Sequence, residues 1–294
     1  LSDDTTLPYT GLLLATGANA FNPIKQGDGS IPVQVLRSFE DAQQLVQLAA
    51  GKRVVLVGGG ILGLEAAMAL HRQSCSITVV EYAPRLLSLQ ADEAVSRRRR
   101  QRLGGRGMTV LTGLSVGEAT GVGAVLSNGN VLEADLALAS MGVRSEITLA
   151  TAMGLPVNRG IIVDEFMRTG HPDIWAAGDC AEYGGRVQAM AGAASSMGEV
   201  AGASMAGDAS MPYLPFVPAT LFEYEDFSLF SVGSVGATTE TVLYEEQVAC
   251  LYRRLFLQQG KLTGALFVGG NPGAKAVEAV TNHVPLKEAL PLIS

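Results

Sequence analysis

Residues 54–81 read VVLVGGGILGLEAAMALHRQSCSITVVE. A β-branched run leads into glycines, a Leu- and Ala-rich stretch follows, and a second β-branched run ends on an acid, which predicts strand, turn, helix and strand. Each glycine has a distinct task. Gly58 permits the tight turn out of the strand, Gly60 removes a side chain so that a ligand can approach the backbone, and Gly63 lets the helix pack close to the sheet. The helix start, at Ile61 and Leu62, offers unpaired N–H groups and a positive dipole end to an anion. Glu81 stands eighteen residues beyond Gly63, where a carboxylate accepts hydrogen bonds from ribose hydroxyls. The stretch therefore reads as a dinucleotide site. A carboxylate repels a 2′-phosphate, so NADH is expected over NADPH; Arg85, four residues on, is placed to blunt that preference.

The composition fits a globular enzyme. A chain of 294 residues has room for two or three domains, and 48% hydrophobic with 17% charged residues implies large buried cores. The net charge of −7 argues against a nucleic-acid partner. One basic run stands out: Arg97, Arg98, Arg99 and Arg100, with Arg102 and Arg106, on a helical stretch. It reads either as a solvated helix face or as a dock for an acidic protein. Cys75, Cys180 and Cys250 form no close pair and suit reduced structural thiols. His71, His171 and His283 lack metal-ligand spacing, so no metal site is expected. No membrane association is expected either: no N-terminal stretch resembles a signal peptide, and the longest apolar run is broken by glycines and Glu65. A cytoplasmic protein is expected.

Outside residues 54–81 the chain opens on an apolar strand, YTGLLLATGA, and a helix begins near residue 38. A strand at 108–112, a hairpin at Ser127-Asn128-Gly129-Asn130 and a strand at 135–140 complete a first α/β region. Strands around 161–164 and 174–177 precede a small-residue helix at 188–207. From Pro212 the pattern turns to aromatic strands, 228–233 and 241–246, with a hairpin at Gln259-Gly260 and a helix from Ala274.

Three motifs in order, Ala15-Thr16-Gly17, then Gly58-x-Gly60-x-x-Gly63 with Glu81, then Ala177-Gly178-Asp179, resemble the FAD-dependent pyridine nucleotide-disulfide oxidoreductase family. The branch most resembled contains rubredoxin reductases, NADH:flavorubredoxin reductases and the flavin-bearing part of assimilatory nitrite reductases. The resemblance implies an α/β fold: an incomplete Rossmann-like FAD domain (1–40 and 151–210), interrupted by an NAD-binding domain (41–150) and followed by a C-terminal α+β interface domain (211–294). It implies FAD contacts at Ala15, Thr16, Gly17, Arg37, Gly178 and Asp179, with Asp179 on the ribityl hydroxyls. Glu65 matches the acid at the nicotinamide and flavin junction, although a first-turn acid stabilised by the helix dipole is an equal reading. Gly142 resembles a glycine near the cofactor, and the helix starting near Met190 would aim its N-terminus at the flavin's N1 and O2 edge. Family members begin with a strand-glycine-helix unit that binds FAD, and none precedes the first motif in these 294 residues. A preceding segment or a partner chain is expected to complete that site.

The expected activity is hydride transfer from NADH to FAD, with electrons passing to rubredoxin, another small redox protein or a small-molecule acceptor. Two readings stay beside it: an NADH oxidase or peroxidase, and a non-catalytic nucleotide-binding subunit of a larger redox complex.

Overall fold

The computed structural model describes residues 5–225, 227–236, 240–246 and 251–293; Cys250 lies outside them. The helices are α1 (Phe39–Ala49), α2 (Ile61–His71), α3 (Glu93–Gly105), α4 (Thr148–Ala152), α5 (Ala191–Met205), α6 (Ala274–Thr281) and α7 (Leu286–Ala289). The chain forms two compact units, one of Leu1–Phe21 with Gly142–Phe216 and one of Asn22–Met141 with Val217–Ser294.

The larger unit holds a five-stranded parallel sheet in the order Val33–Val35, Leu136–Ala139, Arg53–Val57, Ser76–Glu81, Thr109–Thr112. The chain runs outward from Arg53–Val57 and then returns to its other side through Leu136–Ala139. That reversal makes the carboxyl ends of the two strands a topological switch point, the usual ligand position in open α/β sheets. Leu136–Ala139 is buried at every residue, as a central parallel strand demands. The Asn128-Gly129 turn joins Gly123–Leu126 to Val131–Glu133 in antiparallel register, with Gly129 at φ +85°.

The same unit contains an antiparallel sheet in the order Ala219–Tyr224, Phe227–Gly233, Lys261–Val268, Leu251–Gln258, Thr241–Glu246. Its two faces are both apolar. Phe230, Leu255 and Phe267 pack with Ala276 and Val280 of α6. Phe222, Phe227, Tyr252 and Phe256 share a core with Leu64 and Met68 of α2 and with Val95 and Leu103 of α3.

The arginine run occupies this second face. Arg99 is 2% exposed and lies over the rings of Phe222 and Phe227, at 5.0 and 4.9 Å from their centroids. Arg98 pairs with Glu245 and covers Tyr252, Arg102 covers Phe227, and Arg106 pairs with Glu225 at 2.5 Å. Only Arg97 and Arg100 of the consecutive four are exposed. Arg98, Arg99, Arg102 and Arg106 thus clamp α3 to the C-terminal sheet through cation–π and ionic contacts, which a reading of the whole run as a solvated face does not anticipate, while Arg97 and Arg100 face solvent.

The smaller unit pairs Leu12–Leu14 with Ile174–Ala176 and Ile161–Val163 with Ala181–Tyr183, both in parallel, and Ala18–Ala20 with Val143–Ser145 in antiparallel register. Its core gathers Leu14, Ile174 and Ala176 against Met197, Val200 and Ala201 of α5. The units divide at 21/22, 141/142 and 216/217. Strand pairing fits this division: Val33–Val35 bonds to Leu136–Ala139, and Val143–Ser145 bonds to Ala18–Ala20. Three-residue strands carry too little pattern to be assigned from sequence. Among the described residues, no helix is long and apolar enough to cross a membrane.

Candidate functional site

The glycine turn sits at the switch point of the parallel sheet, after Arg53–Val57. Gly58 has φ +114°, and a Cβ there would lie 2.1 Å from the Ser140 carbonyl oxygen, so no other residue fits between the two adjacent strand ends. A Cβ on Gly63 would lie 2.4 Å from the Gly58 carbonyl oxygen. Helix α2 therefore packs on the turn at backbone contact, as the sequence predicts. Gly60 differs: a Cβ there would meet nothing within 4 Å. It is the N-cap of α2, in extended conformation, with no side chain capping the helix. Ile61 and Leu62 begin the helix, and Leu62 is 67% exposed. An open, uncapped helix N-terminus beside a glycine turn is suited to a pyrophosphate.

Glu81 ends its strand beside this turn. Its Oε2 accepts the Gly59 N–H at 2.5 Å and its Oε1 accepts the Ala83 N–H at 2.6 Å. Both carboxylate oxygens retain further lone pairs, so the acid is able to hold the turn and receive hydroxyls together. Arg85 is half-buried and its guanidinium donates to the carbonyls of Ser88 at 3.2 Å and Ala91 at 3.4 Å. Those bonds anchor the loop through two of the five N–H groups of the guanidinium.

Glu65 is the fifth residue of α2, past the first turn. Partial burial pushes its carboxyl above the ordinary glutamate range. Dipole stabilisation would act in the opposite direction, so desolvation wins at this position. The first-turn reading is thereby corrected.

The other two motifs converge in the smaller unit. Leu14 pairs with Ala176, so Ala15-Thr16-Gly17 and Ala177-Gly178-Asp179 leave adjacent parallel strands at the same end. Ala177 N–H donates to the Leu14 carbonyl at 3.1 Å. Gly17 and Gly178 have φ +71° and +81°, which turns both segments away from the strand direction. Asp179 is half-buried in a short 3-10 turn. A Cβ on Gly178 would contact the Ala194 side chain at 3.6 Å, placing the first turn of α5 against the motif. Met190 is the N-cap of α5, and no side chain caps that helix either.

Sequence reading missed the residues that fix this arrangement. Ser145 Oγ donates to the Asp179 carbonyl at 2.7 Å. Thr16 Oγ1 donates to the Glu146 carbonyl at 2.7 Å, the Glu146 N–H donates to the Gly17 carbonyl at 2.9 Å, and Asn19 Nδ2 donates to Glu146 Oε2 at 2.6 Å. Bonds to Thr148 and Asn19 hold the Glu146 carboxyl below its ordinary range. Gln188 ties the segment before α5 to Phe216, donating to its carbonyl at 2.6 Å and accepting from Tyr213 Oη at 2.6 Å. Such partners lie far apart in sequence and leave no local pattern.

Gly142 lies in the smaller unit at φ +85°, its carbonyl accepting the Phe21 N–H at 2.9 Å. Arg37 lies in the larger unit, exposed, just before the Ser38 N-cap of α1, and its N–H donates to Asp41 at 2.9 Å. Cys75 and Cys180 are both buried and unbridged.

Comparison with known proteins matches residues 1–207 to the pyridine nucleotide-disulphide oxidoreductase family and residues 218–279 to the rubredoxin NAD+ reductase C-terminal domain. The chain is 32% identical over 308 residues to the NADH-dependent phenylglyoxylate dehydrogenase subunit epsilon of Aromatoleum evansii, covering 98% of this chain and 72% of that protein. It is 30% identical over 272 residues to the assimilatory nitrate reductase electron transfer subunit of Bacillus subtilis, covering 90% of this chain and 35% of that one. A solved ferredoxin reductase from Rhodopseudomonas palustris superposes with a TM-score of 0.81 at 29% identity, covering 91% of this chain and 69% of that chain. The chain spans about a third to a half of the length of several curated relatives that it matches.

Proposed function

The chain belongs to the pyridine nucleotide-disulphide oxidoreductase family, and from that premise we propose that it is the nucleotide-binding, flavin-contacting and C-terminal part of an NADH-dependent flavoprotein reductase. The electrons go on to a protein acceptor such as rubredoxin or another small redox protein. The observation that carries the proposal is the open N-terminus of α2 at Gly60, flanked by the Glu81 carboxylate.

Bound FAD would supply hydride acceptance from the nicotinamide and the release of electrons singly or in pairs. The chain supplies orientation and charge. The N–H groups at the start of α2 hold the pyrophosphate, and Glu81 takes the adenosine ribose hydroxyls. With the Glu81 carboxylate at the ribose position, NADH is preferred to NADPH. Glu65, already partly desolvated, serves at the nicotinamide end.

In the other unit, the segments carrying Thr16, Gly17 and Asp179 leave adjacent strands at the same end, which supports FAD contacts there, with Asp179 on the ribityl hydroxyls. The N-terminus of α5 lies beside Gly178 without a side-chain cap, so its positive end is available to negative charge on a reduced flavin ring. No side chain is required as nucleophile. A cytoplasmic location belongs to the same reading.

A kinetic comparison tests the assignment. NADH oxidation is followed with rubredoxin, with a ferredoxin and with dioxygen as acceptors, using the complete natural polypeptide. A protein acceptor turning over faster than dioxygen is expected; faster turnover with dioxygen would replace this reading by an oxidase.

A further inference from the structure

We propose that Tyr252, in the C-terminal sheet, is a positioning residue for the dinucleotide site, acting on the glycine turn through Asp92 and the 82–92 loop. The proposal rests on the dinucleotide reading above. Tyr252 is 1% exposed and its hydroxyl donates to Asp92 Oδ2 at 2.5 Å. Arg254 Nη1 donates to the same oxygen at 2.9 Å, while Asp92 Oδ1 accepts the Val95 N–H at 3.0 Å and caps α3. Asp92 is thus a buried carboxylate whose charge is met from the C-terminal sheet on one side and from α3 on the other.

From Asp92 the loop runs back to the turn without a break in bonding. The Gln90 and Ala91 N–H groups donate to the Leu87 carbonyl at 2.9 and 2.8 Å. The Leu87 N–H donates to the Gly59 carbonyl at 3.0 Å. Leu86 presses on the same glycine, since a Cβ there would lie 2.5 Å from Leu86 Cδ2.

Leu87 itself is 1% exposed and has φ +52°, a left-handed conformation that a leucine holds only where its surroundings over-determine it. The over-determination comes from Gly59 at one end and Asp92 at the other. Removing the Tyr252 hydroxyl leaves Oδ2 with the arginine alone and loosens the far end of the loop. The turn then fluctuates, and a dinucleotide must order it on binding, which weakens affinity without altering any group that touches the ligand.

Calorimetric titration with NADH, together with hydrogen exchange at the Leu87 amide, tests this on wild type, Tyr252→Phe and Val232→Ala. Val232 is buried on the opposite face of the same sheet, against Phe230 and Val280, and reports simple destabilisation. Tyr252→Phe is expected to raise the NADH Kd about fivefold or more and to speed exchange at Leu87. Val232→Ala should lower Tm while moving neither. Wild-type affinity and exchange in Tyr252→Phe, or equal weakening in Val232→Ala, would overturn the positioning role. Absence of NADH binding by wild type would instead overturn the dinucleotide reading and the proposal with it.

Discussion

Glu81 Oε2 accepts the Gly59 N–H at 2.5 Å, which makes the strand-end acid and the glycine turn a single hydrogen-bonded unit. The acid fixes the turn's geometry as well as offering oxygens to a ribose. Its replacement should therefore have two separable consequences.

Glu81→Gln keeps one accepting oxygen and removes the charge. We expect NADH affinity to fall about tenfold, equivalent to ~1.4 kcal/mol, with NADPH affinity falling less or rising. Equilibrium titration with both nucleotides checks this, and equal losses for both would contradict the ribose assignment.

Gly60 and Gly63 should respond oppositely to alanine. Gly63→Ala forces a Cβ toward the Gly58 carbonyl and should cost about 1–3 kcal/mol of stability. Gly60→Ala meets open space at φ −78° and should leave stability within about 0.5 kcal/mol. Its effect should appear in dinucleotide affinity. Denaturant unfolding read beside NADH titration separates the two.

Arg99→Ala should cost about 2–4 kcal/mol, because it removes a buried aliphatic stem and two cation–π contacts from the interface of α3 with Phe222 and Phe227. Exposed Arg97→Ala should stay within about 0.5 kcal/mol. Unfolding curves decide between them, and equal small effects would mean that the clamp is not where the stability lies.

Glu65 gives a pH prediction. Burial raises its folded-state pKa, so the folded protein binds the proton more tightly than the unfolded chain. The protonated form is therefore favourable to folding at low pH, and this advantage is lost as pH rises through the ordinary glutamate value to the raised one. Glu65→Gln should accordingly gain stability relative to wild type as pH rises across that window. A stability difference that is flat or falls with pH would mean that the carboxylate is better solvated than its place on α2 implies.

Much of the nucleotide half was legible because its signals are local. The glycine spacing of 58–63, the strand ending at Glu81 and the Asn128-Gly129 hairpin each show in a pattern of a few consecutive residues, although the Ser140 carbonyl that requires Gly58 is distant in sequence. What escaped the sequence depends on distant partners. The arginine run looks like an ordinary charged helix face on α3, and only the approach of Phe222, Phe227 and Tyr252 from the C-terminal sheet turns it into a clamp. Likewise Ser145 meets the Asp179 carbonyl across 34 positions of sequence, with no motif to announce it. The short strand Val33–Val35 escaped for a related reason, since it pairs in parallel with the distant Leu136–Ala139.

The most direct measurement is the visible absorbance of the purified complete polypeptide before and after anaerobic NADH. Flavin bands that bleach in proportion to added NADH, and return on addition of an oxidised protein acceptor, are the predicted result. Bound flavin that keeps its bands in excess NADH would contradict the reductase assignment.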